Sequence, residues 1–149
     1  MALRWLLAAA HLLALGIGLG AVLARARALR EPFDATGFRR VFAADVWWGA
    51  AAALWISTGL WRWLGGIEKP AGYYSGNHVF WLKLALLGAI LILEVAPMTT
   101  FMRWRRASRS GGPVDTSAAP RLARASAVQA MLVVLMVLAA TAMARGYGA

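Results

Sequence analysis

Four ionisable side chains and one amide interrupt otherwise apolar stretches of this sequence: His11, Asp45, Lys83 and Glu94, with Gln129. An ionisable group at the centre of a membrane-crossing helix costs about 2.5–3.5 kcal/mol, so each marks a functional site or a partnered pair. Imidazole ligates haem iron, and a second imidazole or a cation completes such a site as ligand or as propionate partner. His11 with Lys83 or His78 supplies that set. Imidazole with methionine sulfur suits copper, but Met98 and Met102 fall at the opposite membrane face from His11. Lys83, Glu94 and Asp45 together have the chemistry of a proton or solute conduit.

Each residue also has a plain structural reading. Asp45 lies one to two helical turns from Arg39 and Arg40 and can pair with either. Glu94 can pair with an arginine from a neighbouring loop. Lys83 can extend its stem to the headgroups. His11 can be a neutral imidazole bonded within the protein, and His78 a solvated residue at a helix start. With two histidines in the chain, a di-haem site with four imidazoles is excluded. With no cysteine, disulfides, thiolate metal sites and thiol nucleophiles are excluded as well. The sequence holds no metal-binding motif, nucleotide-binding loop or nucleophile elbow.

The elements that position these residues follow from hydropathy. Of 149 residues, 61% are hydrophobic, against about 45–50% in a soluble domain. The excess is clustered in Trp5–Ala24, Val41–Leu60, Val79–Met98 and Ala125–Ala144, each 20 residues long. Roughly 20 residues at 1.5 Å rise cross a hydrocarbon core of about 30 Å. The expected fold is therefore all-α: one domain over 1–149, a bundle of four transmembrane helices at about 5–24, 41–62, 79–101 and 123–144.

Charge sets the expected orientation. Eleven arginines lie in the two segments joining the first span to the second and the third to the fourth: Arg25, Arg27, Arg30, Arg39, Arg40, Arg103, Arg105, Arg106, Arg109, Arg121 and Arg124. The opposite side carries Arg4, Arg62, Lys69 and Arg145. Basic loops stay in the cytoplasm, which predicts both termini outside and a bacterial inner-membrane location. The net charge of +10 is thereby assigned to topology rather than to nucleic acid. The first span is read as a retained helix, since one arginine precedes it and three follow closely. Of eight tryptophans, Trp5, Trp61, Trp63 and Trp81 are expected as anchors at one membrane boundary and Trp47, Trp48 and Trp104 at the other. Trp55 falls near the middle.

Depth and phase sort the polar residues into two layers. His11 lies about 9 Å in from Trp5 and Lys83 about 6 Å in from Val79, both in the outer third. Asp45 lies about 6 Å in from Val41 and Glu94 about 6 Å in from Met98, both in the inner third, with Gln129 at a similar depth. At about 100° per residue, Lys83, Leu87, Ile90 and Glu94 share one face. His11 shares its face with Ala14, Gly18 and Val22, and Asp45 with Gly49, Ala52, Ile56 and Gly59. Gln129 shares its face with Met136, Ala140 and Met143. Small residues permit close helix approach, so the faces of His11, Asp45 and Gln129 are expected to point inward. Gly16 and Gly20 form a G-x-x-x-G pair on another side of the first span, suited to a second helix contact or an oligomer.

Several segments carry a family likeness: His11-Leu12-Leu13-Ala14-Leu15-Gly16-Ile17-Gly18-Leu19-Gly20, Val41-Phe42-Ala43-Ala44-Asp45 with Trp48-Gly49, Thr58-Gly59-Leu60, Phe80-Trp81-Leu82-Lys83, Leu93-Glu94 and Pro97-Met98. They resemble a bacterial family of four-helix membrane proteins known only as a domain of unknown function. The layout is more distantly similar to HemJ-type protoporphyrinogen oxidases and CopD-like membrane domains. HemJ-type proteins are four-helix haem-b proteins with a functional His in helix 1 and a functional Lys in helix 3. The resemblance implies those roles for His11 and Lys83. The HemJ pattern of aromatic, Pro and basic residues after helix 1 is absent, as is the Asn-Glu-Val-Pro-like stretch of helix 4. Haem handling, rather than protoporphyrinogen oxidation, is the expectation it leaves. On these grounds the expected function is a haem-binding or haem-handling redox protein with haem b on His11. The alternatives are an accessory subunit of a larger membrane complex and a small proton or solute conduit. Expected partners are the lipid bilayer and either other membrane subunits or further copies of the chain.

Overall fold

The computed structural model describes residues 2–66 and 71–148. Lys69, counted above on the less basic side, lies outside the described residues. Every regular element among the described residues is a helix: α1 over Ala2–Ala28, α2 over Ala35–Leu64, a short helix α3 over Ala71–Ser75, α4 over His78–Arg109 and α5 over Ala119–Ala144. Four of these, α1, α2, α4 and α5, are long and apolar enough to cross a membrane. Backbone groups in the interior of a helix are satisfied within the helix, which is why helices can cross hydrocarbon.

The helices run past the apolar stretches at the arginine-rich end. There α1 stops at a tight turn, and Glu31-Pro32 prevents it from continuing into α2. Asp34 caps α2, its carboxylate accepting from the Gly37 amide at 2.7 Å. Gly37 must lack a side chain, because a Cβ there would run into the carbonyl oxygen of Pro32. At the other end Asn77 caps α4 by accepting from the amides of Val79 and Phe80, and its side-chain amide donates to the carbonyl of Tyr147 at 3.2 Å. The His78 amide donates to Gly148 O at 3.0 Å, so the C-terminal tail closes over the start of α4.

Successive spans are antiparallel. α1 packs on both α2 and α5, and α5 packs on α4. α2 and α4 stand further apart, and side chains bridge the space between them. A mid-membrane core of Val22, Trp48, Trp55, Ile90, Val133 and Met136 fills the bundle. A second apolar cluster around Val41, Phe101, Trp104 and Leu122 seals the arginine-rich end.

The tryptophans divide differently from a simple belt. Trp5, Trp47, Trp61 and Trp81 are exposed on the outer surface of the bundle, as anchors would be. Trp48 and Trp104 are buried instead. The Trp104 indole donates to the Asp115 carbonyl at 2.8 Å, pinning the loop before α5. Trp63 packs edge-on against Phe80, ring centroids 4.9 Å apart, and joins α2 to α4 at their outer ends.

Candidate functional site

The inner-third polar residues converge on one group that the charge count had placed in a loop. Arg25 belongs to α1, and its side chain is fully buried (0% exposed). It lies one turn beyond Val22 on the same buried face as Ala14 and Gly18. That phase is the signal in the sequence that could have found it.

All five guanidinium N–H groups have acceptors. Nε donates to Ser126 Oγ at 3.1 Å. Nη1 donates to Asp45 Oδ1 at 3.1 Å and to Glu94 Oε1 at 2.8 Å. Nη2 donates to Glu94 Oε2 and to Gln129 Oε1, both at 2.8 Å. The Arg25–Glu94 pair is thus bidentate, the geometry for which a planar guanidinium is suited. Glu94 Oε2 also accepts from Gln129 Nε2 at 2.8 Å and from the Trp48 indole at 3.0 Å. Gln129 gives its other amide hydrogen to Ile90 O at 3.1 Å. The guanidinium carbon sits 5.7 Å from the ring centroids of both Trp48 and Phe101.

Asp45 pairs with neither Arg39 nor Arg40. Its Oδ1 takes Arg25, and its Oδ2 takes Arg105 Nη2 at 2.8 Å. Arg40 pairs instead with Glu31 on the surface. Two arginines therefore balance two carboxylates, in a knot with members on α1, α2, α4 and α5. No buried side-chain N or O atom among the described residues lacks a hydrogen-bond partner.

The outer-third residues make a smaller group. The Trp55 indole donates to His11 Nε2 at 2.9 Å, and His11 Nδ1 lies 2.9 Å from Thr58 Oγ1. Thr58 Oγ1 is also 2.7 Å from Leu54 O, which takes the hydroxyl hydrogen. The imidazole is then the Nδ1–H tautomer, donating to Thr58 and accepting from Trp55. Gly59 leaves room for the ring, since a Cβ there would come within 3.2 Å of His11 Cε1.

That arrangement does not fit an axial haem ligand or a copper ligand, because the Nε2 lone pair that would meet the metal is engaged by Trp55. Lys83 lies half-buried on α4 and makes no hydrogen bond or ion pair among the described residues. His78 is exposed at the first residue of α4. It stands outside the group of His11, Trp55 and Thr58. Gly16 and Gly20 face outward, and a Cβ at either would meet nothing within 4 Å.

The family described as "Predicted membrane protein (DUF2214)" matches this sequence over residues 3–148, and the chain belongs to it. No curated protein and no solved structure matches it.

Proposed function

We propose that this chain is a four-helix structural module of the bacterial inner membrane, an accessory subunit that acts by packing against other membrane proteins, with its arginine-rich loops in the cytoplasm. The observation that carries this reading is the Arg25 knot, which spends the polar groups of the inner third on tying the four spans together. A bundle locked in register presents rigid outer faces. The outward Gly16 and Gly20 on α1 suit the close approach of another helix, since small residues let backbones meet. The arginine asymmetry of the connecting segments supports the orientation.

The test is a photo-crosslinking amino acid at Ile17, between the two glycines, in cells producing the protein. A discrete adduct with one membrane protein is expected. Adducts with lipid alone would overturn the reading.

A second reading, haem handling, is favoured by one observation: Lys83 is a cation within a spanning helix that the knot does not use. In that reading His11 ligates haem b, and Lys83 or His78 serves as second ligand or propionate partner. It requires the Trp55 indole to leave Nε2. Adding haemin to the purified protein in nanodiscs separates the two readings. A shifted Soret band that disappears in H11A supports haem handling, and an unshifted spectrum supports the structural module.

A further inference from the structure

An open groove runs between the start of α2 and the end of α4 at the arginine-rich face of the bundle. Its floor is apolar, formed by Phe42, Val46 and Trp47. Its rim carries Arg39 on one side and Arg105, Ser108 and Arg109 on the other. Arg105 is fixed there from two directions. It donates to Asp45 Oδ2 at 2.8 Å, and its guanidinium carbon sits 5.0 Å from the Phe42 ring centroid. Its side chain remains 34% exposed. Arg39 and Arg109 are exposed and make no hydrogen bond or ion pair among the described residues.

Depth agrees with chemistry. Asp45 and Arg105 meet at one level, and Val46 and Trp47 turn exposed apolar surface to lipid there. Arg39 lies about 9 Å further toward the aqueous side at 1.5 Å per residue, and Arg109 about 6 Å further. An apolar slot below cations at that height matches a phosphodiester above acyl chains. Basic clefts between spanning helices have this character where they hold anionic headgroups.

We propose that this groove is a binding site for one anionic glycerophospholipid of the leaflet at the arginine-rich end. Arg39 and Arg109 hold the phosphate, Arg105 and Ser108 border it, and an acyl chain lies along Phe42, Val46 and Trp47. Asp45 neutralises Arg105, so the net positive charge offered to the ligand comes from Arg39 and Arg109.

The experiment uses the full chain in phosphatidylcholine vesicles carrying a small fraction of brominated lipid, which quenches nearby tryptophan. Brominated phosphatidylglycerol is expected to quench Trp47 at about 25-fold lower mole fraction than brominated phosphatidylcholine, at roughly fivefold for each of Arg39 and Arg109. W47F identifies the Trp47 contribution as the part of the quenching that it removes. The preference should vanish in R39Q/R109Q and survive in R103Q/R106Q, which removes two arginines outside the groove. It should also survive millimolar inorganic phosphate. Equal quenching by the two lipids would overturn the proposal. So would loss of the preference in R103Q/R106Q, which would mean diffuse surface charge, or its abolition by inorganic phosphate, which would mean a free-anion site.

Discussion

The inner and outer thirds of this bundle hold similar polar residues and use them differently. In the inner third, Arg25 joins Asp45, Glu94, Ser126 and Gln129, and the bonds cross all four spans. In the outer third, His11 joins Trp55 and Thr58, and these two bonds run from α1 to α2. Lys83, at the same outer level on α4, is bonded to neither. A buried charge must be compensated or it destabilises the fold. A neutral imidazole needs only a donor and an acceptor. The ionic layer therefore dictates the mutual placement of four helices, whereas the bonds of His11 to Trp55 and Thr58 hold α1 to α2.

If so, the largest effect falls on the centre of the knot. R25Q leaves Glu94 and Gln129 without their cation and should cost about 3–5 kcal/mol, read by reversible unfolding in mixed micelles. A cost near zero would mean that the ionic layer does not organise the bundle. The double variant R25M/E94L should be less destabilised than either single variant, because removing both partners leaves no uncompensated charge while Arg105 still holds Asp45. Additive costs would break the argument.

The outer third should be milder. T58V removes the hydroxyl that faces His11 Nδ1 and should cost about 1–2 kcal/mol, with unfolding again the measurement. K83M should lie within about 1 kcal/mol of the parent, on the stabilising side, because it removes a charge without a bonded partner from a spanning helix. A large loss would show that Lys83 is engaged in a site of its own.

The smallest effect lies outside both layers, at the loop before α5. The Ser117 amide donates to Asp115 Oδ1 at 2.9 Å and holds that carboxyl below the usual carboxylate range. A depressed folded-state pKa stabilises at neutral pH, and that contribution is lost as pH falls through the folded value. The Ser117 amide resonance should accordingly titrate at a lower pH than a free carboxylate. A midpoint at the ordinary aspartate value would remove the cap.

Much of this was legible in the residues. Four apolar runs, the segregation of arginines and the inward phase of His11 and Gln129 all follow from counting along the chain. The α2 face of Asp45, Gly49, Ala52, Ile56 and Gly59, expected inward from its small residues, is not the buried one: Val41, Ala44, Trp48, Ala51, Trp55 and Thr58 are. A helix satisfies its own backbone, so whether a segment crosses a membrane depends on that segment alone. The partner of a charge does not. Asp45 has Arg39 and Arg40 nearby in sequence, yet it binds Arg25 and Arg105, 20 and 60 positions away. Arg25 stood among arginines that remain at the surface, and only its phase with Val22 set it apart. Trp48 and Trp104 sit at belt height but turn inward, where an indole N–H finds Glu94 in one case and the Asp115 carbonyl in the other.

The sequence by itself determined the solvent of this protein, the number of its crossings and the end at which its arginines gather, because these depend on composition summed over one helix at a time. Only the tertiary structure decided which arginine is buried and which nitrogen of His11 is engaged. Those outcomes depend on how close and at what angle four separate helices meet, and no single segment encodes that.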